Sequence, residues 1–264
     1  MGLDLGLGGQ RVLVTGASQG IGRAAARLLL EEGAHVVINS SHPERLARAV
    51  QSLSGYGRVE GVVADLRNPS DLERLIAEAT QHLGGLDVLV YVTGGPKPGR
   101  AMELDHAAWQ HAAELLAVSP AYLSRLAAER MISNPRGGRI VLLGSVTMRE
   151  PIPTLALSNV MRISLLGLVR TLARELGPKH IRVNGILPGY IDTERVREIF
   201  DDAARRESIA PEEARTRLER DIPLGRLGDP AELARVIAFL ASDASSYVTG
   251  AVLPVDGGLL RSVG

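Results

Sequence analysis

Thr15-Gly16-Ala17-Ser18-Gln19-Gly20-Ile21-Gly22 sets three glycines between a continuous apolar run, Arg11 to Thr15, and an amphipathic run, Ile21 to Glu32. Glycines at such a junction let backbone N–H groups and a helix N-terminus approach a pyrophosphate, where the helix dipole favours negative charge. Because the chain holds 29 glycines, it is the position at the first strand-to-helix junction that makes this turn a candidate dinucleotide cradle. A structural tight turn is the other reading of the same residues. Several chemistries are excluded. With no cysteine there are no thiol nucleophiles, disulfides, Fe–S clusters or thiolate zinc sites. No metal-ligand cluster is apparent; His106 and His111 share a segment without partner spacing and read as surface or packing residues.

The elements that must carry this turn alternate along the whole chain. After the first strand and helix, closed by Gly33, the pattern predicts strands at Ala34–Asn39 and Arg58–Ala64 with a helix at Pro43–Leu53 between them. A helix near Pro69, with Ser70 and Asp71 at its start, leads to a strand at Leu86–Val92. Helix His106–Ile132, strand Arg139–Leu143, helix Thr154–Leu176 and strand Ile181–Ile186 follow. Helix Ala231–Ala241 and a strand near Ala251–Val255 finish the series. Continuous apolar strands separated by helices predict an α/β protein, a single doubly wound, Rossmann-like domain over residues 1–264, its parallel sheet covered by helices on both faces. Residues 192–221 break the rhythm with dense Arg, Glu and Asp. They read as an ion-paired helical excursion or as a flap over a pocket, since they follow a strand's C-terminal end.

Composition bounds the class further. The 30 basic and 30 acidic residues cancel, which argues against a broad nucleic-acid or membrane-surface footprint. All but Lys97 and Lys179 of the basic residues are arginine, and aromatics make up 3% of the chain. No apolar run approaches the roughly 18 to 20 residues that span a bilayer, and Met1–Gln10 lacks the basic start of a signal peptide. A soluble, cytoplasmic protein is the expectation.

The TGxxxGxG spacing does not stand alone. Asp65-Leu66 follows the third strand, Gly94-Gly95 the fourth, and Ile181-Arg182-Val183-Asn184-Gly185-Ile186-Leu187-Pro188-Gly189 is followed four residues later by Thr193. With Val255-Asp256-Gly257-Gly258 near the end, the chain resembles the short-chain dehydrogenase/reductase family over essentially its whole length, and its 3-oxoacyl-carrier-protein-reductase-like members in particular. The resemblance implies a nicotinamide cofactor held by Gly16, Ser18, Gln19, Gly20, Ile21 and Gly22, with Asp65 and Leu66 at the adenine. Gly94 and Gly95 would line its middle, and Arg162, Pro188, Gly189, Ile191 and Thr193 its nicotinamide half. Val92 and Thr93 stand where the family has Asn-Ala. An acid at the end of the second strand selects NAD, whereas an arginine there welcomes the 2′-phosphate of NADP. Ser40 and Ser41 occupy those places, with neither acid nor arginine beside them, which leans to NADP over NAD; the serines also suit helix capping.

The family's proton-transfer set is Asn-Ser-Tyr-Lys, in which lysine lowers the pKa of the tyrosine that exchanges a proton with the substrate oxygen. Aligned on that pattern, Ser145 keeps the serine, Ser158 replaces the tyrosine, Arg162 the lysine and Leu116 the asparagine. Ser158 and Arg162, four apart, share a helix face. Arginine can hold ribose hydroxyls or a carboxylate but is a fixed cation near neutral pH. Tyr190 and Lys97 are the substitutes expected at the pocket mouth, and Tyr91 reads as strand packing. Two readings stay open: an NAD(P)-dependent oxidoreductase acting on a small-molecule carbonyl or secondary alcohol through Ser145, Ser158 and Arg162, and a non-catalytic nucleotide-binding or regulatory protein. The resemblance also implies a homodimer or homotetramer.

Overall fold

The computed structural model describes residues 5–262, the Ala203 side chain excepted; Met1–Asp4, part of the N-terminal segment read above, lie outside them. Among the described residues seven strands form one sheet: β1 Arg11–Val14, β2 His35–Ser40, β3 Val59–Val63, β4 Val88–Tyr91, β5 Gly138–Leu143, β6 Ile181–Pro188 and β7 Val252–Val255. Their order is β3-β2-β1-β4-β5-β6-β7, and every neighbouring pair is parallel. The order reverses between β1 and β4, which opens a crevice at their C-terminal ends.

Among the described residues are ten α-helices: α1 Gly20–Glu31, α2 Pro43–Leu53, α3 Pro69–Leu83, α4 His106–Ala113, α5 Ser119–Met131, α6 Ala156–Met161, α7 Ser164–Leu176, α8 Glu194–Glu207, α9 Pro211–Asp221 and α10 Pro230–Ala241; α1, α2 and α10 cover one face of the sheet and α3, α5 and α7 the other. Because successive strand residues face opposite ways, Val12 and Val14 pack beneath α1 and α10. Leu13 faces the other core, with α3, α5 and α7. Both faces are therefore apolar, and β5 is buried along its whole length.

Three expectations change. The helix expected over His106–Ile132 is interrupted by a π turn at Glu114–Val118. Helix Thr154–Leu176 begins only at Ala156 and breaks between α6 and α7. Thr154 has φ +64°, outside helical geometry, and Arg162 closes α6 with its side chain turned inward to the end of β5. The third concerns hydropathy: Ala156–Lys179 is long and apolar enough to cross a membrane by length and composition alone, with mean hydropathy 1.2. Single arginines interrupt its apolar runs, so counting strictly apolar residues missed it. In the fold Leu165, Val169 and Leu176 of this stretch are buried in the core, while Val160 and Ile163 face outward.

At the N-terminal edge of the sheet Arg11 ties β1 to the residue before β4. Its Nε and Nη2 donate to Asp87 at 2.8 and 2.6 Å, and its backbone N–H adds a third bond at 2.9 Å. Burial opposes ionisation of Asp87, but the hydrogen bonds from Arg11 outweigh it and hold the carboxyl below its ordinary value. A depressed folded-state pKa contributes stability that is complete above the unfolded value of about 3.9 and disappears as pH falls through the folded value. Asp87→Asn is therefore expected to destabilise the protein by a constant amount between pH 5 and 7. In urea titrations the gap to the unsubstituted protein should shrink below about pH 4.

Candidate active site

The crevice above β1 and β4 is a cleft in two connected parts. The outer part, about 710 Å³, is lined by Gly16, Ser18, Gln19, Ser40, Ser41, Asp65, Leu66, Gly94 and Gly95. The inner part, about 210 Å³, is lined by Gly20, Ile21, Gly22, Ser145, Ser158, Arg162, Pro188, Gly189, Ile191 and Thr193. Gly16, Gln19, Gly94 and Gly95 belong to both. The fold thus brings the residues read as cofactor-binding, together with Ser145, Ser158 and Arg162, to one cleft.

The glycine turn is built for close approach. A Cβ on Gly22 would lie 2.5 Å from the Gly16 carbonyl oxygen, and one on Gly16 would lie 2.6 Å from that of Val92. Gly16 also has φ +56°, a conformation costly for other residues. Thr15 locks the turn to β4, its hydroxyl donating to Val92 O at 2.7 Å and accepting from Val92 N at 2.9 Å. Gln19 precedes α1 without a capping side-chain hydrogen bond, so the first N–H groups of the helix are free of side-chain acceptors. A dinucleotide pyrophosphate fits this arrangement of open backbone donors.

At the outer end Ser18 Oγ donates to Ser40 Oγ at 3.1 Å, and Ser40 Oγ accepts from His42 N at 3.2 Å. The expectation that no arginine stands near these serines is corrected by Arg45, which lines the same cavity and donates to Gln19 Oε1 at 3.4 Å. It was missed because α2 folds its first turn back towards the glycine turn; the available signal was an arginine soon after Pro43. Asp65 is already engaged by Arg67, which donates at 3.0 and 2.6 Å and holds the carboxyl below its ordinary value against a smaller effect of burial.

The inner end is rich in hydroxyls. Ser145 Oγ accepts from Thr147 N at 3.2 Å, and Thr147 Oγ1 lies 3.0 Å from Ser158 Oγ. Arg162 is 7% exposed, and its Nη1 donates to both Leu143 O and Gly144 O at 3.1 Å. Burial pulls its pKa down to about 10; Tyr91 opposes the shift and Arg195 adds to it. Leu116 is buried against Ala112 and Leu157, so an apolar contact fills the position read as the family's asparagine.

Two proposed substitutes separate. Lys97 is exposed and lines the outer cavity, as does His111. Tyr190 lies outside both parts of the cleft: it lines a different cavity with Leu218 and Leu259, and burial pushes its hydroxyl up to about 12. Its strand turns away after Pro188-Gly189, which adjacency in sequence could not show. Tyr91 is buried strand packing with an added role. Its hydroxyl donates to Leu115 O at 2.7 Å inside the π turn and lies 3.1 Å from Ser119 Oγ. Tyr91→Phe leaves that carbonyl without its donor and is expected to lower unfolding free energy by about 1–3 kcal/mol in a urea titration.

The charged segment is two helices, α8 and α9, stapled by pairs such as Arg206–Asp202 and Arg217–Glu213. It also reaches the site, because Arg195, Val196 and Ile199 of α8 line the inner cavity. Among the described residues no group of three or more metal-binding side chains occurs.

Comparison with known proteins places this geometry. A family model described as Enoyl-(Acyl carrier protein) reductase matches residues 16–260. The chain is 36% identical over 250 residues to dehydrogenase/reductase SDR family member 4 of Bos taurus, covering 94% of this chain and 86% of that protein. It is 33% identical over 255 residues to a 3-oxoacyl-acyl-carrier-protein reductase of Vibrio cholerae, covering 97% and 99% of the two. L-sorbose reductase from Gluconobacter frateurii, solved with NADPH and L-sorbose, superposes with TM-score 0.93 at 30% identity, covering 99% of this chain and 100% of that one. With its sheet order, its glycine turn and these similarities along nearly its whole length, the chain belongs to the short-chain dehydrogenase/reductase family.

Proposed function

We propose that the chain is an NADP(H)-dependent oxidoreductase that interconverts a small-molecule carbonyl compound and its secondary alcohol without an ionisable proton donor at the reacting oxygen. The observation that carries this reading is the connected cleft, which runs from Ser40, Ser41 and Arg45 past the open start of α1 to Ser145, Ser158 and Arg162. The serines and Arg45 suit a 2′-phosphate better than a second carboxylate would, and a similar reductase was solved with NADPH.

A bound nicotinamide supplies or accepts the hydride. The chain's own residues bind and orient: Ser145 and Ser158 offer hydroxyls to the substrate oxygen, and Thr147 fixes the Ser158 hydroxyl. Arg162 braces the end of β5 through two carbonyls. Serine is a far poorer acid than an activated tyrosine, and losing positioned acid–base help typically costs about 10²- to 10⁴-fold in rate. Turnover is accordingly slow and rests on orientation.

The test is a fluorescence titration with NADPH and NADH, followed by NADPH oxidation with ketone, 3-oxoacyl and sugar substrates. NADPH is expected to bind about 10- to 100-fold more tightly than NADH, the scale of one or two hydrogen bonds to a charged group. Arg45→Ala should remove most of that preference while leaving NADH affinity unchanged. Binding of neither cofactor overturns the proposal, and tight binding without turnover leaves a nucleotide-binding protein. A second copy of the chain on the outward face that carries Val160 and Ile163 belongs to the same reading. It predicts a dimer or tetramer by mass measurement across concentrations.

A further inference from the structure

The inner cavity holds an unbalanced buried charge. Arg162 spends Nη1 on two β5-end carbonyls, and its Nε and Nη2 make no hydrogen bond among the described residues. The side chain is more than nine-tenths buried and lines the cavity, yet no carboxylate among the described residues pairs with it. An uncompensated buried cation is costly, and burial with neighbouring cations strengthens its pull on an anion. A second arginine converges on the same space: Arg195, at the start of α8, lines the cavity and is braced by Pro96 O and by Glu198 at 3.0 Å. The carboxylate that lines this space, Glu194, is exposed. Ser145 and Ser158, whose hydroxyls are the groups assigned to the substrate oxygen, line the same cavity.

Resting on the proposed reductase reading, we infer that the substrate is a short oxo acid, its carbonyl oxygen on Ser145 and Ser158 and its carboxylate on the free edge of Arg162, with Arg195 completing the cationic wall. The free Nε and Nη2 edge of a guanidinium matches a carboxylate in a bidentate pair. A neutral ketone or sugar leaves the charge of that edge uncompensated. The reaction balances within the proposed chemistry: hydride from NADPH forms the C–H bond at the carbonyl carbon. The alkoxide takes a proton from solvent through the serine hydroxyls, and NADP⁺ and a hydroxy acid leave.

The experiment compares acetoacetate with methyl acetoacetate as NADPH-dependent substrates, alongside the NADPH dissociation constant from a separate titration. The ester is the more electrophilic ketone, so preference for the acid reports recognition of charge. We expect kcat/KM for the acid to exceed that for the ester at least 10-fold, with the difference mainly in KM. Arg195→Gln is expected to cut the ratio severalfold with NADPH affinity changed less than about threefold, and Arg162→Gln to bring the ratio near one. Equal kcat/KM for acid and ester in a protein that binds NADPH overturns the oxo-acid assignment and leaves the reductase reading intact. Failure to bind NADPH overturns the reductase reading itself. A preference for the acid that survives both substitutions overturns the assignment to these arginines.

Discussion

Gly22→Ala is expected to raise the dissociation constant for NADPH at least 100-fold, about 2.7 kcal/mol, while leaving the protein folded. The added methyl meets the Gly16 carbonyl oxygen at 2.5 Å and Ala17 Cα at 2.9 Å. Both are backbone atoms, so the glycine turn and the first turn of α1 must move apart, and that junction is what a pyrophosphate would occupy. The rest of α1 stays anchored through Ala25, Ala26, Leu29 and Leu30, which sit in the core that α10 completes. Circular dichroism and thermal unfolding should therefore show a folded protein with a lowered melting temperature. Gly167→Ala is the control: nothing lies within 4 Å of a Cβ there, so cofactor affinity is expected to stay unchanged.

The double variant Ser158→Tyr with Arg162→Lys is expected to raise kcat by about 10²- to 10⁴-fold, the usual worth of positioned acid–base catalysis. Ser158 lines the inner cavity one helical turn before Arg162, so a phenol there enters the space where a substrate oxygen would lie. A lysine four residues on puts a compact cation beside that phenol and lowers its pKa towards the working range. Arg162 is less suited to that task, because Nη1 is held by Leu143 O and Gly144 O. The single Ser158→Tyr variant should gain less than the pair. Unchanged turnover in the double variant, with NADPH affinity retained, would mean that the rate is limited elsewhere than at proton transfer.

Much of this protein was readable before any coordinates. Continuous apolar strands between amphipathic helices predict a parallel sheet because both faces need cover, and Val12, Leu13 and Val14 supply those two faces alternately. The glycine turn was legible because its spacing is a backbone requirement, and Gly16 and Gly22 show that requirement as close contacts. What escaped depends on how elements meet. Arg45 reaches the outer cavity only because α2 folds back over Gln19. Tyr190 leaves the cleft because the chain after Gly189 turns into the cluster of Phe200, Ile222 and Leu227. The π turn at Glu114–Val118 answers to the Tyr91 hydroxyl at Leu115 O, a tertiary contact with no mark in local sequence. The free edge of Arg162 was hidden for the same reason: a sequence shows that a cation is present but not which of its N–H groups are already used.

If NADP(H) chemistry proceeds here with serine hydroxyls in place of an ionisable donor, the pH dependence of kcat for NADPH oxidation shows it. With saturating NADPH and the best carbonyl substrate, kcat is expected to stay flat between about pH 6 and 9, because no group in that range gives up its proton in the reaction. Ser145→Ala should lower that plateau about 100-fold without giving it a slope. A kcat that rises or falls tenfold per pH unit within this window, in the unsubstituted protein, would reveal a titrating donor and rule out proton transfer through the serine hydroxyls alone.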